Sequence, residues 1–286
     1  MTAAPASPRP PAVAGAFYPA DPNELTQVLE NCFRDPRGPG GLPTRRREAV
    51  RTIQAVVVPH AGYVYSGPIA ARAFEQVATE RPPDSVLLLG VNHRGRGAPA
   101  ALSDRDWITP IGTVPVDHGL VRALARGPIE VDEAAHAPEH SLEVELPFLQ
   151  YVLPHPRIAA LSVTFGPLSF LEEVADVVRR ALKGRSVLLV ASTDFSHYVP
   201  AAVAEREDRF AIDQILLRDA TGLYEVVATR AISMCGIAPT TVLLSALTGG
   251  SLTARLLAWG HSGEAEPMRE VVGYASFVLE SDTALE

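Results

Sequence analysis

The sequence predicts an α/β fold: a single domain with a central, mostly parallel sheet flanked by helices. Short, predominantly apolar runs recur at Ile53–Val58, Val86–Leu89, Ile158–Thr164, Val187–Val190 and Val271–Leu279. Runs of this length and purity suit strands buried on both faces. Helical patterns fall between them, and strands alternating with helices argue for a parallel sheet covered on both sides.

Taken in order, the first helix is expected at Pro22–Phe33, where Asp21 supplies an N-cap and Pro22 the first helical position. The Pro/Gly-rich stretch Asp35–Glu48 then reads as a surface loop, and it contains the one basic run, Arg45-Arg46-Arg47. Further helices are expected at Pro68–Val77, with Pro68 at its first turn, and at Phe170–Leu182, Ala202–Leu217 and Pro239–Leu247. No repeat or linker divides the 286 residues, a length within the single-domain range for α/β folds. The Ala- and Pro-rich stretch Met1–Pro11 lacks an apolar core of the kind a secretory signal carries, so it reads as a short disordered leader to a domain spanning residues 12–286.

Composition narrows the function classes. The net charge is −8, and no Lys/Arg cluster forms a nucleic-acid footprint. No apolar run approaches the ~20 residues that span a bilayer. Lys183 is the only lysine against many arginines, a bias of coding composition. The two cysteines, Cys32 and Cys235, stand in unrelated contexts, which argues against a disulfide framework. Cys32 lies near the end of an amphipathic helix and reads as structural. A cytoplasmic protein is expected.

The chemistry-bearing residues follow the strands. Val56–Val58 leads into Pro59-His60-Ala61-Gly62-Tyr63, Leu87–Leu89 into Gly90-Val91-Asn92-His93, and Leu188–Val190 into Ala191-Ser192-Thr193-Asp194-Phe195-Ser196-His197. Ligands of open α/β sheets bind outside the carboxyl ends of the strands, so parallel neighbours would bring His60, His93, Asp194 and His197 into one pocket. Two imidazoles and one anionic donor make a transition-metal arrangement. Asp194, Glu143 and Cys235 are all candidates for the third donor. Cys235 precedes a helix, and a thiol at a helix N-terminus is expected to have a lowered pKa. In Glu139–Pro147, His140 and Glu143 are three residues apart, a spacing that fits an acid/base pair or an orienting pair for metal ligands, and equally a solvated turn. Tyr63 and Tyr65 either wall the pocket or pack. Asp104–Gly112 reads as an exposed turn over its mouth.

The segments VAGAFYPADP (13–22), PHAGYVYSG (59–67), LGVNH (89–93), EHSLEVELPFLQ (139–150), STDFSHY (192–198), CGIAPT (235–240) and GYASFVL (273–279) together resemble, in order, the Memo family. Its prokaryotic members are also called AmmeMemoRadiSam system protein B. The resemblance runs from Val13 nearly to the end of the chain. It implies a fold like that of the class III extradiol dioxygenases, which hold Fe(II) with two histidines and a carboxylate. It implies one transition metal ion, iron or copper, held by His60, His93 and Cys235, with Asp194 and His197 lining the pocket and His140 and Glu143 nearby. It also implies a radical-SAM protein and a small companion protein as partners, and redox chemistry. Some relatives carry a second histidine after the one at His93; here that position is Arg94, which adds positive charge at the rim.

Three functions fit these residues. One is a dioxygenase-like, non-haem metal-dependent oxidoreductase with His197 or His140 as general acid/base. Another is a metal-binding module without turnover that takes a small-molecule or peptide ligand. The third is a zinc hydrolase with Glu143 or Asp194 as base. A thiolate donor argues against a direct copy of dioxygenase chemistry, since it is prone to oxidation beside O2-reactive iron.

Overall fold

The structure is a computed structural model that describes residues 7–44, 50–248 and 251–285. The basic run Arg45–Arg47 lies outside the described residues. In chain order the elements are α1 (Pro22–Arg34), β1 (Arg51–Val58), α2 (Tyr63–Ala78), β2 (Ser85–Val91), β3 (Ala100–Ser103), β4 (Trp107–Thr109), β5 (Gly112–Val114), α3 (His118–Leu124) and β6 (Glu130–Val131). They continue as α4 (Leu146–Val152), β7 (Ile158–Val163), α5 (Leu168–Leu182), β8 (Val187–Ser192), β9 (His197–Val199), α6 (Ala201–Leu217), α7 (Ala220–Arg230), α8 (Ile237–Ala246), β10 (Leu252–His261) and β11 (Val271–Leu285).

The main sheet runs β10-β11-β1-β8-β2-β7-β3-β6, with β9 pairing onto β11. Its four middle strands, β1, β8, β2 and β7, are parallel. Antiparallel pairing brings in β11 and β10 on one side and β3 on the other. The parallel strands are the apolar runs, and both their faces are covered. Ala55, Val57, Leu87 and Leu89 face a core built with α3, α5, α6, α7 and α8. Val56, Val58, Leu88 and Val190 face a second core built with α1, α2 and α4. This is the expected α/β architecture: helices on both faces and a parallel centre.

Several expectations at element ends change. Helix α2 begins at Tyr63, so Pro68 sits inside it rather than at its start. The missing N–H at Pro68 frees the carbonyl of Val64, which accepts instead from Arg37 Nη2 at 3.5 Å. Helix α8 starts at Ile237, ahead of Pro239. The stretch Asp104–Gly112 is not an exposed turn. Trp107 is fully buried in the β4–β5 hairpin, under the guanidinium of Arg9, whose Cζ lies 4.0 Å from the ring centroid. Of the expected leader Met1–Pro11, residues 1–6 lie outside the described residues, but Arg9 is 3% exposed and belongs to the domain. A buried arginine needs partners, and the loop around Glu139–Glu143 supplies them.

Cys32 is buried against α2, its thiol pushed up to about 12 by burial and by Asp35, as befits a structural residue. Both cysteines are free. No helix among the described residues is long and apolar enough to cross a membrane.

Candidate metal centre

The carboxyl ends of β1, β8 and β2 lie side by side because the strands are parallel and in register: Val58 pairs with Ser192 and Leu89 with Ala191. The loops after them therefore converge, bringing His60, Asp194 and His93 together. Two glycines let further segments close on this point. A Cβ at Gly90 would collide with Leu142 and Ser141, so glycine there admits the Glu139–Leu142 loop over β2. A Cβ at Gly236 would collide with Thr193 and with the carbonyl of Ser192, so glycine there admits Cys235 beside the end of β8. The backbone N–H of Gly236 donates to Thr193 Oγ1 at 3.0 Å.

Three imidazoles cluster at the centre. The rings of His60 and His93 stand perpendicular at 5.3 Å between centroids, and those of His60 and His140 at 5.4 Å. His93 and His140 stack at 4.7 Å. Phe17 covers the outer side of His140 at 4.8 Å, so the N-terminal segment is one wall of the site. Burial and the neighbouring imidazoles hold His60 well below the ordinary histidine range, and burial brings His140 down to about 4. Both are neutral at pH 7, the form that ligates metals.

The ring nitrogens of His60 and His93 have defined neighbours. His60 Nδ1 lies 2.7 Å from Ser192 Oγ, and His60 Nε2 lies 3.3 Å from Cys235 Sγ. His93 Nδ1 lies 2.9 Å from Glu139 Oε1. Glu139 is fully buried in its side chain and also accepts from the backbone N–H groups of His93, His140 and Ser141. Burial alone would raise the Glu139 carboxyl, but these hydrogen bonds, led by that from His93, hold it down as a carboxylate. A carboxylate on the far nitrogen fixes a ring's orientation and leaves the other nitrogen for a metal.

Among the described residues, two groups have donor atoms within 4.8 Å of one another: His60, His93 and Cys235, and His93, Glu139 and His140. The first fits an ion better. A tetrahedral ion with nitrogen at about 2.1 Å and sulfur at about 2.3 Å spaces its donors about 3.4–3.6 Å apart, and the 3.3 Å between His60 and Cys235 matches that. In the second group Glu139 is already saturated by four N–H donors, so its role is to orient His93.

The Cys235 thiol departs from expectation. Burial, reinforced by the Asp194 carboxylate, pushes its pKa far up, and this outweighs the start of α8. A bare thiol therefore stays protonated, and forming the thiolate requires a cation. Asp194 lies beside it. Its backbone N–H donates to Cys235 Sγ at 3.2 Å, and its Oδ1 accepts from the backbone N–H of His60 at 2.8 Å. Burial raises the Asp194 carboxyl to about 6.

The remaining candidates separate. His197 stands at the edge of the group, its Nδ1 2.7 Å from the carbonyl of Phe195, close enough for its charge to act on His60 and Asp194. Arg94 acts on His140 from the exposed rim. Glu143 is not in the pocket chemistry. It is fully buried and receives four donors: Arg9 Nη1, the backbone N–H groups of Ala12 and Val13, and Tyr18 Oη. Nothing is left to abstract a proton, so the acid/base expectation for Glu143 gives way to an anchoring role. Tyr63 packs, its hydroxyl donating to the carbonyl of Val144 at 2.6 Å, and Tyr65 reaches Glu266. Sequence reasoning missed Glu139 and Ser192 as partners of the histidines, and Glu145 behind Ser192. The strand ending in Ser192 was the available signal for that residue.

Comparison with known proteins identifies the family. The family profile described as Memo-like protein matches residues 9–278. A MEMO1 family protein of Methanopyrus kandleri is 41% identical over 279 residues, covering 95% of this chain and 98% of its own. Others from Methanothermobacter thermautotrophicus and Thermotoga neapolitana are 40% and 39% identical, covering 93% and 95% of this chain and 98% and 99% of theirs. Among solved structures, an uncharacterized protein from Escherichia coli K12 shares the fold with a TM-score of 0.55 at 15% identity, covering 80% of this chain and 100% of its own. On the family match across most of its length and these near-full-length relatives, the chain belongs to the Memo-like family.

Proposed function

We propose that this protein holds one transition metal ion through His60 Nε2, His93 and Cys235 Sγ, and that the centre serves a metal-dependent oxidoreductase. The observation that carries the reading is the pairing of two pre-oriented imidazoles with a half-buried thiol 3.3 Å from one of them. Two nitrogens and a sulfur suit zinc or copper, and the family resemblance adds iron. Such an ion, when bound, supplies an open coordination position and a redox couple.

The chain's own groups do the rest. Glu139 and Ser192 aim the two histidine rings. His140, neutral and stacked on His93, offers an imidazole to accept a proton from an incoming ligand, and Asp194 can hold one close to Cys235. His197 at the edge is a third proton-handling group. Arg94 at the rim favours an anionic ligand. Phe17 on one side limits water access. A radical-SAM protein and a small companion protein are proposed as functional partners on family grounds, and the two free cysteines suit a reducing, cytoplasmic setting.

A second reading, a metal- or ligand-binding module without turnover, is favoured by one observation: the third donor beside His60 and His93 is the thiol of Cys235, and a thiolate stabilises Cu(I). Metal analysis of anaerobically purified protein decides. Bound iron that consumes O2 only with a catechol-like compound supports the oxidoreductase. Bound Cu(I) without turnover supports the module, and one equivalent of zinc would support the hydrolase. Full metal content in His60→Ala, His93→Ala and Cys235→Ala alike would refute the centre itself.

A further inference from the structure

Behind His60 lies a hydrogen-bond arrangement that the metal reading does not use. Ser192 Oγ has three polar neighbours: His60 Nδ1 at 2.7 Å, the carbonyl of Ser141 at 2.7 Å and Glu145 Oε1 at 2.9 Å. A hydroxyl carries one proton to donate and two lone pairs to accept with. The carbonyl of Ser141 can only accept, so it takes the serine proton. The other two neighbours must then be donors. His60 donates as Nδ1–H, and Glu145 donates as an O–H.

The surroundings of Glu145 point the same way. Its side chain is fully buried, and Oε2 has no hydrogen-bond partner. An ionised carboxylate left with a bare oxygen in such a place is costly, whereas a neutral acid leaves only a carbonyl oxygen unpaired. Among the described residues, the charged group that acts on Glu145 is Asp194, a like charge, and burial pushes the Glu145 carboxyl well above the usual carboxylate range.

We propose that Glu145 is a neutral carboxylic acid at pH 7 that donates to Ser192 Oγ, and that the Glu145–Ser192 pair holds His60 in its Nδ1–H tautomer with Nε2 bare toward Cys235. Both are positioning residues, acting through His60. A serine whose only proton is committed to Ser141 cannot donate to Nδ1, so the opposite tautomer of His60 would set two lone pairs against each other. The pair also orients His60 without adding a negative charge, in contrast to the Glu139 carboxylate behind His93. The two histidines are thus held by unlike partners: one by an anion, one by a neutral relay.

This deepens the metal reading, because the bare Nε2 is the atom proposed as ligand, yet its main test needs no metal. On metal-free wild-type protein, nitrogen-15 NMR of the histidine rings should show His60 as Nδ1–H. Infrared spectroscopy should show a buried carboxylic-acid C=O band that disappears in Glu145→Gln. Glu145→Gln, whose amide can still donate to Ser192, should keep the tautomer and bind zinc within about threefold of wild type. Ser192→Ala should mix the tautomers and weaken zinc binding about 10- to 100-fold.

An Nε2–H form of His60 in wild type, or the absence of the acid band, would overturn the assignment. Should Ser192→Ala not fold, the wild-type spectra and Glu145→Gln still decide. If the spectra come out as expected but wild-type protein binds no zinc, copper or iron, the metal-ligand reading of His60 fails and the Glu145–Ser192 assignment stands.

Discussion

The guanidinium of Arg9 meets the carboxylate of Glu143 at 2.6 Å, with both side chains out of solvent. This pair ties the N-terminal segment to the loop that carries Glu139 and His140. Arg9 also donates from Nε to the carbonyl of His136 and from Nη2 to that of Glu139, and it lies over the ring of Trp107. Removing one member of a buried pair strands the other. Arg9→Ala should therefore destabilise the fold by about 3–5 kcal/mol, read from urea unfolding. The loss comes at the low end if Tyr18 and the two backbone N–H groups still satisfy Glu143. A loss below about 1 kcal/mol would mean the pair is not the anchor described.

Glu139 should govern metal affinity without touching the metal. Oε1 accepts from His93 Nδ1 and from the backbone N–H groups of His140 and Ser141, and Oε2 accepts from the backbone N–H of His93. In Glu139→Gln the amide N–H2 must face one of these donors, and the ring of His93 loses its fixed aim. Competition titration with zinc is expected to show affinity reduced about 10- to 100-fold in a folded protein. Unchanged affinity would remove Glu139 from the support of His93.

His136 makes stability depend on pH. Its Nε2 lies 3.0 Å from the carbonyl of Ala101 and so carries the proton, while Nδ1 is buried with no partner. Burial pushes its pKa from 6.5 down to about 4. Between those values the unfolded chain binds a proton that the folded chain refuses. The stabilisation is fully present above about pH 6.5 and is lost as pH falls toward 4, on the order of 3 kcal/mol in all. Unfolding free energies of wild type and His136→Gln measured across this window should converge at the acid end. Parallel curves would show that His136 does not titrate as described.

Much of the parallel core is legible because its cause is local. Val56–Val58, Leu87–Leu89 and Leu188–Val190 are apolar on both faces, and residues just past their ends must face the crevice, so His60, His93 and Asp194 could be placed together. What the sequence hides is relational. β10, most of whose residues are half-buried, has none of the purity of the central runs, and it forms because β11 is there to pair with it. Glu143 and Glu139 are four residues apart in one acidic stretch, yet one faces Arg9 and the other His93. Only the path of the loop over Gly90 decides which. The thiol of Cys235 departs from its sequence expectation for a similar reason: a nearby helix start is visible in sequence, while the burial that outweighs it is not.

The position of Gly236 offers a test of how closely the centre is built. Its backbone approaches Thr193 and the carbonyl of Ser192 so nearly that any Cβ must move one of the two segments. One of those segments carries Ser192 and Asp194, and the other carries Cys235. Gly236→Ala should cost about 1–3 kcal/mol of stability, as overpacking does. It should also draw Cys235 Sγ away from His60 Nε2 and lower zinc affinity. Gly166→Ala, where a Cβ meets only the ring of Phe170 at 3.5 Å, is the matched control and should change neither. Calorimetry and zinc titration of the two variants separate the effects. If Gly236→Ala loses stability but binds zinc as wild type does, Cys235 is not held in place by this contact, and its alignment with His60 must come from the Asp194 N–H instead.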